Sequence, residues 1–151
     1  MRAPLALLVC VAIVGCTTTA GMNTPDGFAR YEESEEFRLI TAEGIVLRAR
    51  VESNSPRQSL DFWSEALANH LSSSGYVLLE QSEFDTGVGE GVVFEWLAPV
   101  GGEDWIYMTA IIVVDDQIVV VESAGPHDQY RAYREPIRSE LASIAIERRF
   151  R

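Results

Sequence analysis

Hydrophobic residues are distributed along this chain with two periods. The longest apolar stretch, residues 105–124, reads Trp-Ile-Tyr-Met-Thr-Ala-Ile-Ile-Val-Val-Asp-Asp-Gln-Ile-Val-Val-Val-Glu-Ser-Ala. β-Branched runs bounded by turn formers read as strands, and Asp tolerates the left-handed backbone of a tight turn. The pattern therefore predicts a hairpin turning at Asp115-Asp116. Val114 would lie opposite Gln117, Ile112 opposite Val119, Ile111 opposite Val120 and Ala110 opposite Val121. Both parities of the first strand are apolar, which predicts cover on both faces. Two carboxylates at its centre argue against a membrane span.

Strict alternation marks residues 45–52. Ile45, Leu47, Ala49 and Val51 share one side, and Val46, Arg48, Arg50 and Glu52 the other. With residues 37–41 before Ala42-Glu43-Gly44, this predicts a second hairpin. Arg48 and Arg50, on the wetter side, suit pairing with carboxylates better than anion binding. Helical spacing follows at Leu60, Trp63, Leu67 and Leu71. Ser55, Pro56 and Gln58 predict the helix start, and Gly75 its stop. His70 falls in the last turn, where it suits the helix dipole. Further strands are expected at 76–80 and 92–98, with Val92, Phe94 and Trp96 on one face. Gln81 to Glu90 reads as a mobile loop. Its Gly87-Val88-Gly89-Glu90-Gly91 lacks Lys and is flanked by carboxylates, which excludes a phosphate loop. Tyr130, Tyr133, Ile137, Leu141 and Ile144 hold helical spacing after Gly125-Pro126. Pro136 implies either a kink or a short first helix with Pro136 opening the second. Residues 147–151 read as a frayed basic tail.

At 151 residues the chain is long enough for one domain with a core, and it contains no internal repeat. Lysine is absent, so all twelve basic residues are Arg, and the formal charge is −11. Between Arg57 and Arg131 there is no basic residue, against thirteen Asp and Glu. Such a surface repels nucleic acid and argues against docking on anionic lipid through a basic patch. A solvated surface explains it more simply than a cation site. The cluster from Glu32 to Glu36 likewise reads as exposed loop.

Residues 1–16 run from Met1-Arg2 through a dozen apolar positions to Gly15-Cys16. This is the layout of a secretory signal, too short to span comfortably. Ile13-Val14-Gly15-Cys16 resembles the lipobox of bacterial lipoproteins. The resemblance implies cleavage before Cys16, leaving a formal charge of −12, and acyl chains on Cys16. Thr17 follows, where Asp commonly retains a lipoprotein at the inner membrane, so the periplasmic face of the outer membrane is favoured. With Cys10 removed and Cys16 acylated, the mature domain has no disulfide. Residues 1–15 are thus expected to be signal peptide, 16–27 the lipidated Cys and a flexible tether, and 28–151 a single domain.

From Trp105 through Val119-Val120-Val121-Glu122-Ser123-Ala124-Gly125-Pro126 to Tyr130, Tyr133 and Leu141, the domain resembles the PsbP-like family. Its bacterial members include exported DcrB-like lipoproteins. The resemblance implies an α+β fold, an antiparallel sheet of about six strands with helices packed on both faces. It also implies an accessory protein rather than an enzyme.

Catalytic signals are sparse. His70 and His127 show no metal-ligand spacing and no Cys remains, so a zinc site is not expected. Ser123, His127 and Asp128 lack a nucleophile-elbow context. Glu103-Asp104 and Asp115-Asp116 are turn residues first. The sequence therefore predicts a non-enzymatic envelope lipoprotein with no cofactor, anchored to the membrane through Cys16 and contacting an envelope protein. The alternative is a small-ligand or calcium-binding module using an acidic cleft; a hydrolase using His127 comes third. Candidate surface residues are Trp96, Trp105, Glu103, Asp104 and His127.

Overall fold

A computed structural model describes residues 16–31 and 36–150. The expected signal peptide and most of the Glu32–Glu36 cluster lie outside the described residues; Glu36 is exposed. In chain order the strands are β1 (Cys16–Gly21), β2 (Ala29–Arg30), β3 (Phe37–Ile40) and β4 (Val46–Ser53). Then come helix α1 (Leu60–Ser73) and strands β5 (Val77–Thr86), β6 (Gly89–Val100), β7 (Glu103–Val114) and β8 (Gln117–Pro126). Helices α2 (His127–Tyr130) and α3 (Arg134–Glu140) follow, with a 3₁₀ turn at Leu141–Ser143 and strand β9 (Ala145–Phe150).

Seven strands, one more than expected, form an antiparallel sheet in the order β2-β3-β4-β8-β7-β6-β5. The central hairpin has the expected register: Val114, Ile112, Ile111 and Ala110 pair with Gln117, Val119, Val120 and Val121. Asp115 takes a φ of +53°, the left-handed value the tight turn requires. Alternate positions along these strands feed two separate cores, as the period of two dictates. Leu47, Ala49, Val93, Met108, Ala110, Ile112, Val119 and Val121 pack with Ala20, Met22, Tyr130, Ile137, Leu141 and Ile144. Val92, Phe94, Trp96, Ile111, Ile118 and Val120 pack with Leu71, and Leu60, Trp63 and Leu67 rest against them.

The helix begins later than its sequence signals suggest. Ser59, not Ser55, caps α1, its side chain accepting from the Phe62 N–H. Asn54 determines this. Its Nδ2 donates to the carbonyls of Gln58 (3.0 Å) and Asp115 (2.9 Å). Its Oδ1 accepts from the Gln58 N–H (3.0 Å) and the Trp63 indole Nε1 (2.7 Å). Two carbonyls on one side and two donors on the other fix the amide's orientation. This buried side chain holds 55–58 as a loop and ties α1 to the β7–β8 turn. Gly75, with φ +88°, ends the helix segment as expected.

Two other segments differ from their sequence reading, and at a third the structure selects between two alternatives. Gln81–Thr86 continues β5 rather than forming a loop; only Gly87 and Val88 turn the chain, with the Thr86 hydroxyl accepting from Val88 and Gly89. Its odd-even alternation is muted because an edge strand faces water over much of its length. Pro136 lies in the first turn of α3, where a missing N–H costs nothing, so the short-first-helix alternative is the one observed. Finally, the first residues of the expected tether and the expected frayed tail pair with each other: β1 and β9 form a two-stranded antiparallel ribbon against β3 and β4. Cys16 lies opposite Phe150, and Gly21 opposite Ala145.

Candidate functional site

The β7–β8 register sets Trp105 opposite Pro126, which brings Glu103 and Asp104 beside His127 at the start of α2. With Pro126, Asp128 and Gln129 they line an open hollow of about 420 Å³. The His127 Nδ1 stands 3.2 Å from Asp128 Oδ1; the imidazole is half-buried and the carboxylate exposed. Ser123 does not join them. It is buried on the sheet, beside Tyr130. The hollow thus offers an acid–imidazole pair with no hydroxyl or thiol among its lining residues. Trp96 is fully enclosed, stacked on Phe94 at 5.7 Å, and belongs to the core rather than to a surface. Trp105 is half-buried beside the hollow's strands and does not line it.

Two ionic clusters have partners that local sequence does not reveal. In the first, β4 and β8 place Arg48 directly opposite Glu122. Arg48 Nε donates to Glu122 Oε2 at 2.7 Å, Arg50 Nε stands 3.4 Å from the same oxygen, and the Tyr107 hydroxyl donates to Oε1. Burial alone would raise the Glu122 carboxyl. The Tyr107 hydrogen bond and the two guanidiniums outweigh it and hold the group below its ordinary range. Burial, then the bond to Glu122 and its charge, push the Tyr107 phenol up to about 12. Arg48 and Arg50 are therefore engaged by carboxylates, as their sequence positions suggested.

The second cluster lies on the opposite face. Glu95 of β6 is 5% exposed. Its Oε2 receives Arg134 Nε at 2.8 Å and its Oε1 receives Arg138 Nη1 at 2.7 Å. The same arginines reach Glu80 of β5 at 2.5 and 3.0 Å, and Arg138 also reaches Ser82 at 2.6 Å. Residues four apart on α3 project together, so one helix face clamps two strands. Tyr130 is buried nearby. Burial raises its hydroxyl far above the usual value, and the Glu95 charge adds to this.

A second hollow, of about 250 Å³, is lined by Asp61, Glu83, Asp85 and Glu90 with Leu60, Phe84, Gly91 and Val92. It lies beside the glycine-rich turn and contains only negative charge, in keeping with the exclusion of phosphate. Among the described residues, no three His, Cys, Asp or Glu side chains converge as a metal site requires. Nor is any described helix long and apolar enough to cross a membrane.

At the far edge of the sheet, β5 pairs with β6 alone among the described residues. Val77, Leu78 and Leu79 at its start are 57%, 42% and 52% exposed. The register shifts between Leu78 and Glu80, so Leu79 is the extra residue of a bulge. Periodicity does not single out this patch, because three successive aliphatics read as an ordinary buried strand.

The fold is PsbP-like. Over 96% of this chain and all of the other, it matches the solution structure of cyanobacterial PsbP (CyanoP) from Synechocystis, with a TM-score of 0.57 and 8% identity. LpqN of Mycobacterium tuberculosis, described as involved in cell envelope biogenesis, matches with a TM-score of 0.58 and 12% identity over 86% of this chain and 84% of its own. A Pseudomonas aeruginosa protein of unknown function, PA94, matches with a TM-score of 0.55 and 9% identity over 78% and 92%. No protein-family profile matches the sequence, and no curated protein does.

Proposed function

We propose that this chain is an exported, non-enzymatic lipoprotein, anchored through Cys16 to the periplasmic face of the outer membrane, that acts through protein contacts. In this reading the sheet is the middle layer of an α/β/α arrangement, with α1 on one face and α2–α3 on the other. The observation that carries it is the start of β5. Three exposed aliphatics stand on a strand whose outer edge no described strand pairs with. Monomeric proteins usually blunt such an edge with charge or cover, and partners commonly add a strand to one left open. The bulge at Leu79 presents an additional side chain there. The hollow around His127 supports a serine-type hydrolase less well, because no hydroxyl or thiol lines it.

A photo-crosslinking residue at position 79 tests the reading in intact cells. It is expected to give a discrete heterologous adduct that the same residue at Asp128 does not give. Adding Val77→Glu should abolish that adduct without unfolding the domain. An adduct of twice the chain's mass would mean self-association, and equal adducts from both positions would refute a dedicated edge. Mass spectrometry of Cys16 from the envelope fraction tests the anchor independently. The calcium-binding alternative requires a thermal shift with calcium that magnesium does not produce.

A further inference from the structure

We infer that β5 takes as its partner strand an extended protein segment with aliphatic residues at one end and lysine or arginine at every second position of the other. This deepens the edge-docking reading of β5 and rests on it. The register of β5 on β6 assigns each side chain to a face, because residues directly opposite one another in a sheet point the same way. Leu78, Gln81 and Glu83 stand opposite Trp96, Phe94 and Val92, which pack towards α1. Asp85, two residues further on, shares that side. Val77, Glu80 and Ser82 stand opposite Leu97, Glu95 and Val93, on the α3 side.

The two sides differ in charge. On the α3 side, Glu80 and Glu95 are matched by Arg134 and Arg138. On the α1 side, Glu83 and Asp85 join Glu90 of β6 and Asp61 of α1 around one hollow. Asp85 stands directly opposite Glu90, and like charges so placed are destabilising. Helix α1 and strands β5 to β8 all fall between Arg57 and Arg131, where the sequence has no arginine and no lysine. The elements that build the hollow therefore supply no counter-charge of their own.

This geometry selects the occupant. A strand paired to β5 directs alternate side chains to the α1 side. Those level with Glu83 and Asp85 meet carboxylates, and those between them run beside the half-buried Ser82, Phe84 and Thr86. Basic residues suit the first set and uncharged residues the second. At the other end, the exposed Val77, Leu78 and Leu79 offer apolar contact to both sides of an added strand. A second copy of β5 is a poor occupant, because the strand has no basic residue and self-pairing would set carboxylates against carboxylates.

Fluorescence anisotropy with the purified full chain and labelled peptides tests this. Lys-Thr-Lys-Thr-Lys-Thr-Val-Ile-Val suits antiparallel addition, and the same peptide in reverse order suits parallel addition. One of the two is expected to bind more tightly than the other. Shifting its lysines by one position, at constant composition, turns them towards Arg134 and Arg138. That should weaken binding about tenfold, at about twofold for each surface ion pair lost. E83Q/D85N/E90Q should cost the unshifted peptide a similar factor and close the gap between the two phases. Successive N–H groups of a strand point to opposite edges, so N-methylating alternate residues should abolish binding in one parity and spare it in the other. The inference is overturned if neither order binds, if the two phases bind equally, or if both N-methylation parities act alike. A discrete adduct from position 79 in cells without peptide binding would overturn the basic-segment inference and leave the docking edge in place. Peptide binding without any adduct would instead refute the edge as a site used in cells and uphold its chemistry.

Discussion

Replacing Asn54 should be among the most damaging single changes outside the hydrophobic core. All four hydrogen-bonding positions of its amide are used, at 2.7 to 3.0 Å, and the residue is 4% exposed. Asn54→Ala removes four bonds and leaves the Trp63 and Gln58 donors facing a cavity. At about 1 kcal/mol for each net bond, the loss is about 3 to 4 kcal/mol, or roughly 10 °C in Tm for a domain of this size. Asn54→Asp is the sharper probe, because it preserves shape and the accepting oxygen. It sets a carboxylate oxygen against the carbonyls of Gln58 and Asp115, where Nδ2 now donates. Burial and those carbonyls would raise this aspartate's folded-state pKa above the unfolded value of about 3.9. The folded state then binds the extra proton more readily. Its penalty is full above the raised pKa, shrinks as the pH falls through it, and is smallest below about 4. Urea unfolding at neutral and acidic pH, with unchanged m-values, measures both effects. An Asn54→Asp protein as stable as wild type at pH 7, or a deficit that does not narrow on acidification, would refute the reasoning.

Tyr107 has a folded-state pKa of about 12, above its unfolded value of about 10, so its contribution is complete below pH 10 and is lost as pH rises towards 12. Alkaline unfolding followed by tyrosinate absorbance should show this loss, and Tyr107→Phe should remove it. Glu122 behaves oppositely, its contribution being present at neutral pH and lost as pH falls through its lowered pKa; Glu122→Gln should flatten the acid limb of the stability profile. Glu95→Ala strands two partly buried guanidiniums and should cost about 2 to 4 kcal/mol, discounted from a fully buried pair because Glu80 still neutralises them. Chemical denaturation checks the size, and Glu95→Ala with Arg134→Met and Arg138→Met should recover much of it. A Cβ on Gly125 would stand 2.0 Å from Ile45 Cδ1, so Gly125→Ala should cost about 1 to 3 kcal/mol. Ile45→Val removes that methyl, and the double mutant should be less damaged than the sum of the singles.

The central hairpin was legible because two long β-branched runs enclose one acidic pair, which leaves a single sensible register. That same register brings Glu103 and Asp104 to His127, so half of the candidate site follows from it. Trp96 was legible as sharing a face with Val92 and Phe94 but not as sealed, since burial depends on how α1 lies. The Glu122 cluster was not legible, because it needs β4 beside β8, and strand order is set by contacts some 70 residues apart. Thr17–Gly21 reads as linker by composition, yet threonine is β-branched and needs only a partner; that partner is more than a hundred residues away. Ser55-Pro56 gave the helix-start signal, yet the cap is Ser59, a choice that falls to an asparagine amide no pattern ranks.

The ribbon of Cys16–Gly21 with Ala145–Phe150 also dictates when folding can finish. Ala20 and Met22 have no complete core to enter until the final strand emerges, and β4 must wait for β8 in the same way. Strands that pair across more than 120 residues close late, because the loop between them must be ordered first.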